Sequence, residues 1–402
     1  MPGRIVILHD PPMDGHEATI NQDRVEENVL LAVRKLTGID DTGAAFESLF
    51  PGVSISSTFA IKVNSIGPNY TRWEVARGVV SGLSQMFGGT FDVGQVTIFD
   101  RDRLSWAGYY SSQFVFNENS AMLRGYNNAS GSGHEPYPGY ELSRWILNAD
   151  YLINVPVLKS HLQTLNQITV ALKNHYGSCY PSSLCNNIEG MLTVNSDAEI
   201  KDKTCLLVTD AIRATYDGGP TTPTQTWQTY AEGTPNTLLV TTDPVTNEYW
   251  ARDIINAERL ARGMAEKPCP WIEEASGDPY ALGVSDPDAM TVLHSNPYLG
   301  VESGGPAIAV GTTFLAANVP NPFSSSTTLH FRMGREGKAV LRVYDASGRL
   351  VRHLERCHYP AGYHQTAWDG RDANGASVAP GVYFVRLETN HRAHTRRVVV
   401  VR

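Results

Sequence analysis

Apolar residues alternate between two periods over the first three hundred positions. Arg4 to Leu8 carries the unbroken run Ile5-Val-Ile-Leu, which predicts a short strand buried on both faces. Asn21 to Leu36 then places Val25, Val29, Val33 and Leu36 at helical spacing before Gly38, a residue suited to ending a helix. Phe59-Ala-Ile-Lys-Val-Asn predicts a second strand, Arg72 to Phe87 a second helix stopped by Gly88-Gly89, and Val93 to Phe99 a third strand with Asp100 at its exit. After a polar, aromatic and Gly-rich excursion (Ser105 to Tyr140), Glu141 to Leu147 reads as a short helix and Tyr151 to Leu158 as a continuous buried strand. Thr204 to Asp210 and Thr237 to Thr242 predict two more strands, the second followed by Asp243-Pro244 and a helix with proline at its first position. Strands alternating with helices imply an α/β fold: a mostly parallel sheet with flanking helices.

The pattern changes near residue 318. Short alternating strands follow, separated by turns at Gly348, Gly362, Asn374-Gly375 and Pro380-Gly381, as in an antiparallel Ig-like β-sandwich with Trp368 and Tyr383 in its core. This divides the chain into an α/β domain (1–300), a linker (301–317) and a sandwich (318–402).

Charge sharpens that division. From Ala316 onward there are 13 Lys+Arg and 6 Asp+Glu, which leaves 20 and 35 for the remainder of a chain with formal charge −8. An acidic body excludes general nucleic-acid binding. A basic tail beside it suggests self-association, copy to copy, between the C-terminal domain and the acidic body. No apolar run is long enough to be a transmembrane segment.

The richest stretch for chemistry runs from Asp150 to Gly177. Lys159 and His161 leave the apolar run, and Lys173, Asn174 and His175 follow at a short distance. Unpaired cations are costly to bury, so these groups must face solvent or converge on an anion, a metal or a carboxylate. Open parallel sheets gather ligands at strand carboxyl ends, where Lys62, Asn64, Asp100, Lys159 and His161 would meet. The reading is an anion-binding or catalytic pocket with Lys159, His161, Lys173, Asp210 and Asp243 as acid–base or metal-binding groups, and Lys62, Asn64, Asn174 and His175 as ligand contacts. Its competitor is a set of Lys–Asp pairs that simply cross-link strand ends. No G-x-G-x-x-G follows the first strand and no P-loop appears, so no nucleotide is expected. His9, Asp10, Asp14 and His16 could be metal ligands, but the pattern favours solvated loop residues.

Five cysteines (Cys179, Cys185, Cys205, Cys269 and Cys357) include no C-x-x-C pair, so iron–sulfur and zinc-ribbon spacings are missing. Cys179 and Cys185 are either a small disulfide loop or two free thiols. Met1-Pro-Gly-Arg leads straight into the first strand without a signal peptide, which fits a cytoplasmic protein or a sequence lacking its leader.

Taken together, A-I-K-V-N (60–64), N-V-P-V-L-K-S-H (154–161), V-A-L-K-N-H-Y-G (170–177), V-T-D-A (208–211), D-G-G-P (217–220) and T-T-D-P-V (241–245) resemble the domain-of-unknown-function family 362 over residues 3 to 300. Some members of that family carry iron–sulfur modules, whose cysteines are missing here. Where the family has a second Asp after Asp243-Pro244, Glu248 stands instead. The tail motifs N-V-P-N-P-F (318–323), P-A-G-Y-H-Q-T-A-W-D-G-R-D-A-N-G (360–375) and V-A-P-G-V-Y-F-V-R-L (378–387) are similar to the Ig-like domain of flagellar hook-capping proteins and to type IX secretion sorting domains. That resemblance implies an extracellular or cell-surface protein that meets secretion machinery, with any signal peptide upstream. Export would expose the sequons at Asn69 and Asn128 to glycosylation. Two functions follow: an exported α/β protein with a small-anion site, or a structural subunit joined head-to-tail into filaments or a surface layer.

Overall fold

The computed structural model describes residues 1–14, 19–101, 104–125, 132–162, 165, 167–181, 184, 186–219, 221–230, 232–296, 301–302, 313–315, 322–333, 337–359, 362–389 and 393–401. His16, Asn128 and Cys185 lie outside these residues.

The body is built on an eleven-stranded sheet. Its strands are β1 (Arg4–His9), β2 (Phe59–Val63), β3 (Val96–Phe99), β4 (Met122–Arg124), β5 (Tyr151–Val155), β6 (Val157–Ser160), β7 (Ile168–Thr169), β8 (Thr204–Thr215), β9 (Thr237–Thr241), β10 (Thr291–Asn296) and β11 (Val301–Glu302). The order is β11-β10-β1-β9-β8-β5-β2-β3-β4, with β6 beside β8 and β7 beside β6. Pairs β8–β5, β5–β2, β2–β3, β3–β4 and β1–β10 are parallel. β9 runs antiparallel to both β1 and β8.

Alternation along the strands gives the sheet two apolar faces. Ile61, Ile153, Val208 and Leu238 face one core with α1 (Gln22–Thr37) and α2 (Trp73–Ser84). Ala60, Leu152, Leu207 and Leu239 face the other, with α3 (Ala171–Asn174), α4 (Ile188–Ser196) and α5 (Pro244–Ala261). α1 starts where Asn21 accepts the Arg24 N–H at 3.1 Å and ends at Gly38, whose φ of 77° is the left-handed cap that glycine adopts without strain.

Two expected elements differ. Pro156 lacks the N–H that a central strand donates, so the expected continuous strand is split into β5 and β6. Within the expected helix at 141–147, Glu141–Leu142 pairs with Cys179–Tyr180 as a two-stranded ribbon, and only Arg144–Leu147 is helical.

The tail is an antiparallel sandwich. One sheet comprises β12 (Phe314–Leu315), β13 (Thr327–Met333) and β16 (Gly362–Trp368). The other orders β15 (Leu350–Tyr359), β14 (Gly337–Asp345), β17 (Gly381–Thr389) and β18 (Ala393–Val400). Leu315, from the stretch expected to be linker, is fully buried in this core. Trp368 meets Tyr383 edge-on at 5.4 Å, and the Tyr383 hydroxyl donates to the Ala379 carbonyl at 2.8 Å.

Candidate functional site

Register brings the polar residues of the central strands together. Lys62 lies opposite Asn154 on β5 and Phe99 on β3, one residue before Asp100. Its buried ammonium donates to Asp100 Oδ1 (2.7 Å), the Val63 carbonyl (2.6 Å) and Asn174 Oδ1 (3.4 Å). Asp100 accepts in addition from the Ser65 hydroxyl at 2.7 Å, so both of its oxygens are occupied. Gly177 closes over this pair: a Cβ there would stand 2.4 Å from Asp100 Oδ1 and 3.0 Å from Lys62 Nζ, so a side chain would collide with the pair.

An amide bridge links Lys62 to Lys159. Asn64 Nδ2 donates to Asn174 Oδ1 at 3.2 Å, while Asn64 Oδ1 accepts from Lys159 Nζ at 2.8 Å. Lys159 also donates to the carbonyls of Ile66 (2.9 Å) and Asn69 (3.1 Å). Burial, with Lys173 and Lys62 nearby, lowers its pKa to about 7 against the opposing pull of Asp100. Three acceptors converge on Nζ, and only the ammonium form has three protons to give them. The bonding geometry therefore favours the charged amine and makes Lys159 an anchor of the 64–71 loop.

These groups surround a cavity of about 230 Å³, lined also by Arg101, His161 and Lys173. Among the described residues, four cationic side chains thus line it against the single carboxylate of Asp100. Lys173 sits on α3, whose Leu172 N–H donates to the buried Glu248 carboxylate at 2.8 Å. Burial raises the Glu248 carboxyl to about 7. His161 is buried, its Nδ1 meets no partner among the described residues, and burial with Lys173, Lys159 and Lys267 lowers its pKa to about 3. It is therefore neutral at physiological pH, with one ring N–H and one lone pair.

Other expected site residues fall elsewhere. His175 does not line the cavity; its ring nitrogens are taken by Asn154 (3.1 Å) and Ser178 (2.9 Å), and burial lowers its pKa to about 3. Asp210 turns to Arg72, accepting from its guanidinium at 2.9 Å and its backbone N–H at 2.8 Å. Asp243 is a correction. Because β9 runs against its neighbours, Asp243 emerges at the opposite edge of the sheet, where it caps α5 through Thr246 N–H (2.9 Å) and accepts from Gly3 and Val284. Its three backbone partners make it structural.

Asn69 is also placed against expectation: it is buried, so the folded chain does not present it for glycosylation. His9 and Asp10 are buried instead of solvated, and Asp10 accepts from Asn28 and Arg24. Asp14 pairs with Arg213. Among the described residues no cluster of three or more His, Cys, Asp or Glu is arranged to hold a metal. Cys179 is a buried free thiol. Asn154 was missed as a site residue, though a lone amide within an apolar strand was its signal: it donates to the Ala171 carbonyl and accepts from Asn174 Nδ2, tying α3 to the sheet.

The molecule is thus an α/β domain with a buried cationic hollow at its parallel strand ends, followed by an antiparallel β-sandwich. Residues 60–253 match the model of the domain of unknown function DUF362, and residues 323–392, which follow it, match that of the FlgD Ig-like domain. No curated protein matches the chain. Among solved structures it is similar to dimeric latent PorU from Porphyromonas gingivalis (24% identity, TM-score 0.20, 25% of this chain and 10% of that one). It is also similar to PorZ, a surface component of the type-IX secretion system of the same organism (23%, TM-score 0.18, 25% and 13%). The hook-capping protein FlgD from Xanthomonas campestris is similar at 27% identity and TM-score 0.17, over 22% of this chain and 67% of that one. The chain therefore spans about a tenth of PorU and 13% of PorZ. No helix among the described residues is long and apolar enough to cross a membrane.

Proposed function

We propose that the DUF362 domain binds a small anion in the strand-end cavity, with Lys173 and Arg101 as its charge partners, Lys62 and Lys159 as the fixed cationic floor, and neutral His161 as a hydrogen-bonding contact. The observation that supports this reading is the excess of cationic over anionic side chains among the described residues around a cavity of about 230 Å³. A buried positive surplus is costly unless an anion answers it. Titration calorimetry of the full chain with phosphate, acetate and succinate tests it. Binding of at least one anion is expected, weakened by about tenfold or more in Lys173→Met, the loss of one charge-assisted contact. If no anion binds to folded protein, the reading fails.

The chain is read as exported, with the basic sandwich as its sorting or attachment domain, supported by the FlgD Ig-like match at 323–392. The charge division between body and tail supports head-to-tail association of copies, which size-exclusion chromatography in low and high salt would detect as salt-sensitive assemblies.

A further inference from the structure

A second cavity, of about 500 Å³, opens on the α1/α2 side of the sheet and is lined by Tyr70, Arg72, Trp73, Glu74 and Arg213 among others. It falls within the size range of small-molecule sites and shares no lining residue with the cationic cavity. Its two guanidiniums are already answered by protein carboxylates. Arg72 Nη1 donates to Asp210 at 2.9 Å, and Arg213 reaches Asp14 through Nε at 3.0 Å and through Nη2.

Glu74 is different. It is 8% exposed, and among the described residues no side chain donates to its carboxylate. Burial raises its pKa to about 7, with its own backbone N–H as the main opposing influence. Beyond that backbone contact no donor among the described residues answers the buried carboxyl group, so the cavity suits a ligand that supplies one. With Asp210 and Asp14 paired to the two arginines, no positive surplus is left to draw an anion, and the guanidiniums disfavour a cation. Hydroxyl groups answer both, since each donates and accepts. Tyr70 and Trp73 pack against the α1/α2 core and remain half-buried, offering aromatic surface beside the polar wall.

We propose that this cavity is a second ligand site, for a neutral polyhydroxylated molecule of mono- or disaccharide size, held by Glu74 and the flanking arginines and stacked on Trp73. Titration calorimetry of the full chain with glucose, galactose, maltose, cellobiose and N,N′-diacetylchitobiose, and with ethylammonium as the cationic control, tests it. At least one sugar should bind. Trp73→Ala and Glu74→Gln should each weaken it by about tenfold, as expected for losing one stacking or hydrogen-bonding anchor, whereas Lys173→Met in the other cavity should leave it unchanged. Trp73→Phe keeps an aromatic ring in place and should weaken binding with the melting temperature retained, which separates ligand contact from misfolding. Failure of every sugar to bind folded protein, binding indifferent to both Trp73 and Glu74, or binding of ethylammonium alone would overturn the proposal.

Discussion

Lys62 and Asp100 illustrate how a single buried pair fixes the cationic floor. Each side chain is 1% exposed, and both oxygens of Asp100 are engaged. Removing one member of such a pair strands the other charge, which costs about 3–5 kcal/mol. Lys62→Met should therefore lower unfolding stability by that order in denaturant titration, and Asp100→Asn by less, because the amide still accepts from the lysine. The two buried histidines set a pH dependence. Their folded pKa values, about 3, lie below the ordinary 6.5, so the unfolded chain takes up protons that the folded chain refuses. Their contribution is present above pH 6.5 and is lost as pH falls from there toward 3. Glu248 acts in the opposite sense: raised from 4.5 to about 7, its contribution is present at acid pH and is lost as pH rises through 7. His175→Gln should flatten the acid side of a stability–pH profile measured by urea unfolding, and Glu248→Gln should steepen it. Unchanged slopes in both variants would contradict this assignment.

At the scale of elements, strand direction decides which carboxylates can reach the cavity. Asp100 follows a parallel strand and lies at the floor; Asp243 follows the antiparallel β9 and lies at the far edge, holding the starts of β1 and α5. Asp243→Ala removes a helix cap worth about 1 kcal/mol, with the orphaned Gly3 and Val284 amides adding to the loss. The melting temperature should fall while affinity for the anion stays the same; loss of anion binding at unchanged stability would place Asp243 in the site after all. Helix periodicity and caps made α1 legible from Val25, Val29, Val33 and Gly38 alone. The direction of β9 was not legible, because the apolar run Thr237 to Thr241 reads identically whichever way it pairs.

Over the whole molecule, the sandwich core of Leu329, Phe331, Leu341, Val385 and Trp368 is separate from the two cores of the α/β domain. Trp368→Ala should cost the sandwich about 3–5 kcal/mol, seen in calorimetry as an earlier transition for the tail with the body transition in place. Single coincident unfolding shifted as one unit would refute independent cores. Local pattern by itself determined the α/β body and the sandwich that follows it, because periodicity and turn chemistry act through neighbouring residues; that Lys62, Lys159, His161 and Lys173 line one cavity was decided by strand register. Only the tertiary structure decided that Asp210 belongs to Arg72, that Asp243 is a cap, that Asn69 is buried and that Glu74 faces a second cavity. Those outcomes depend on strand direction and on partners far apart in the chain, which no local spacing encodes.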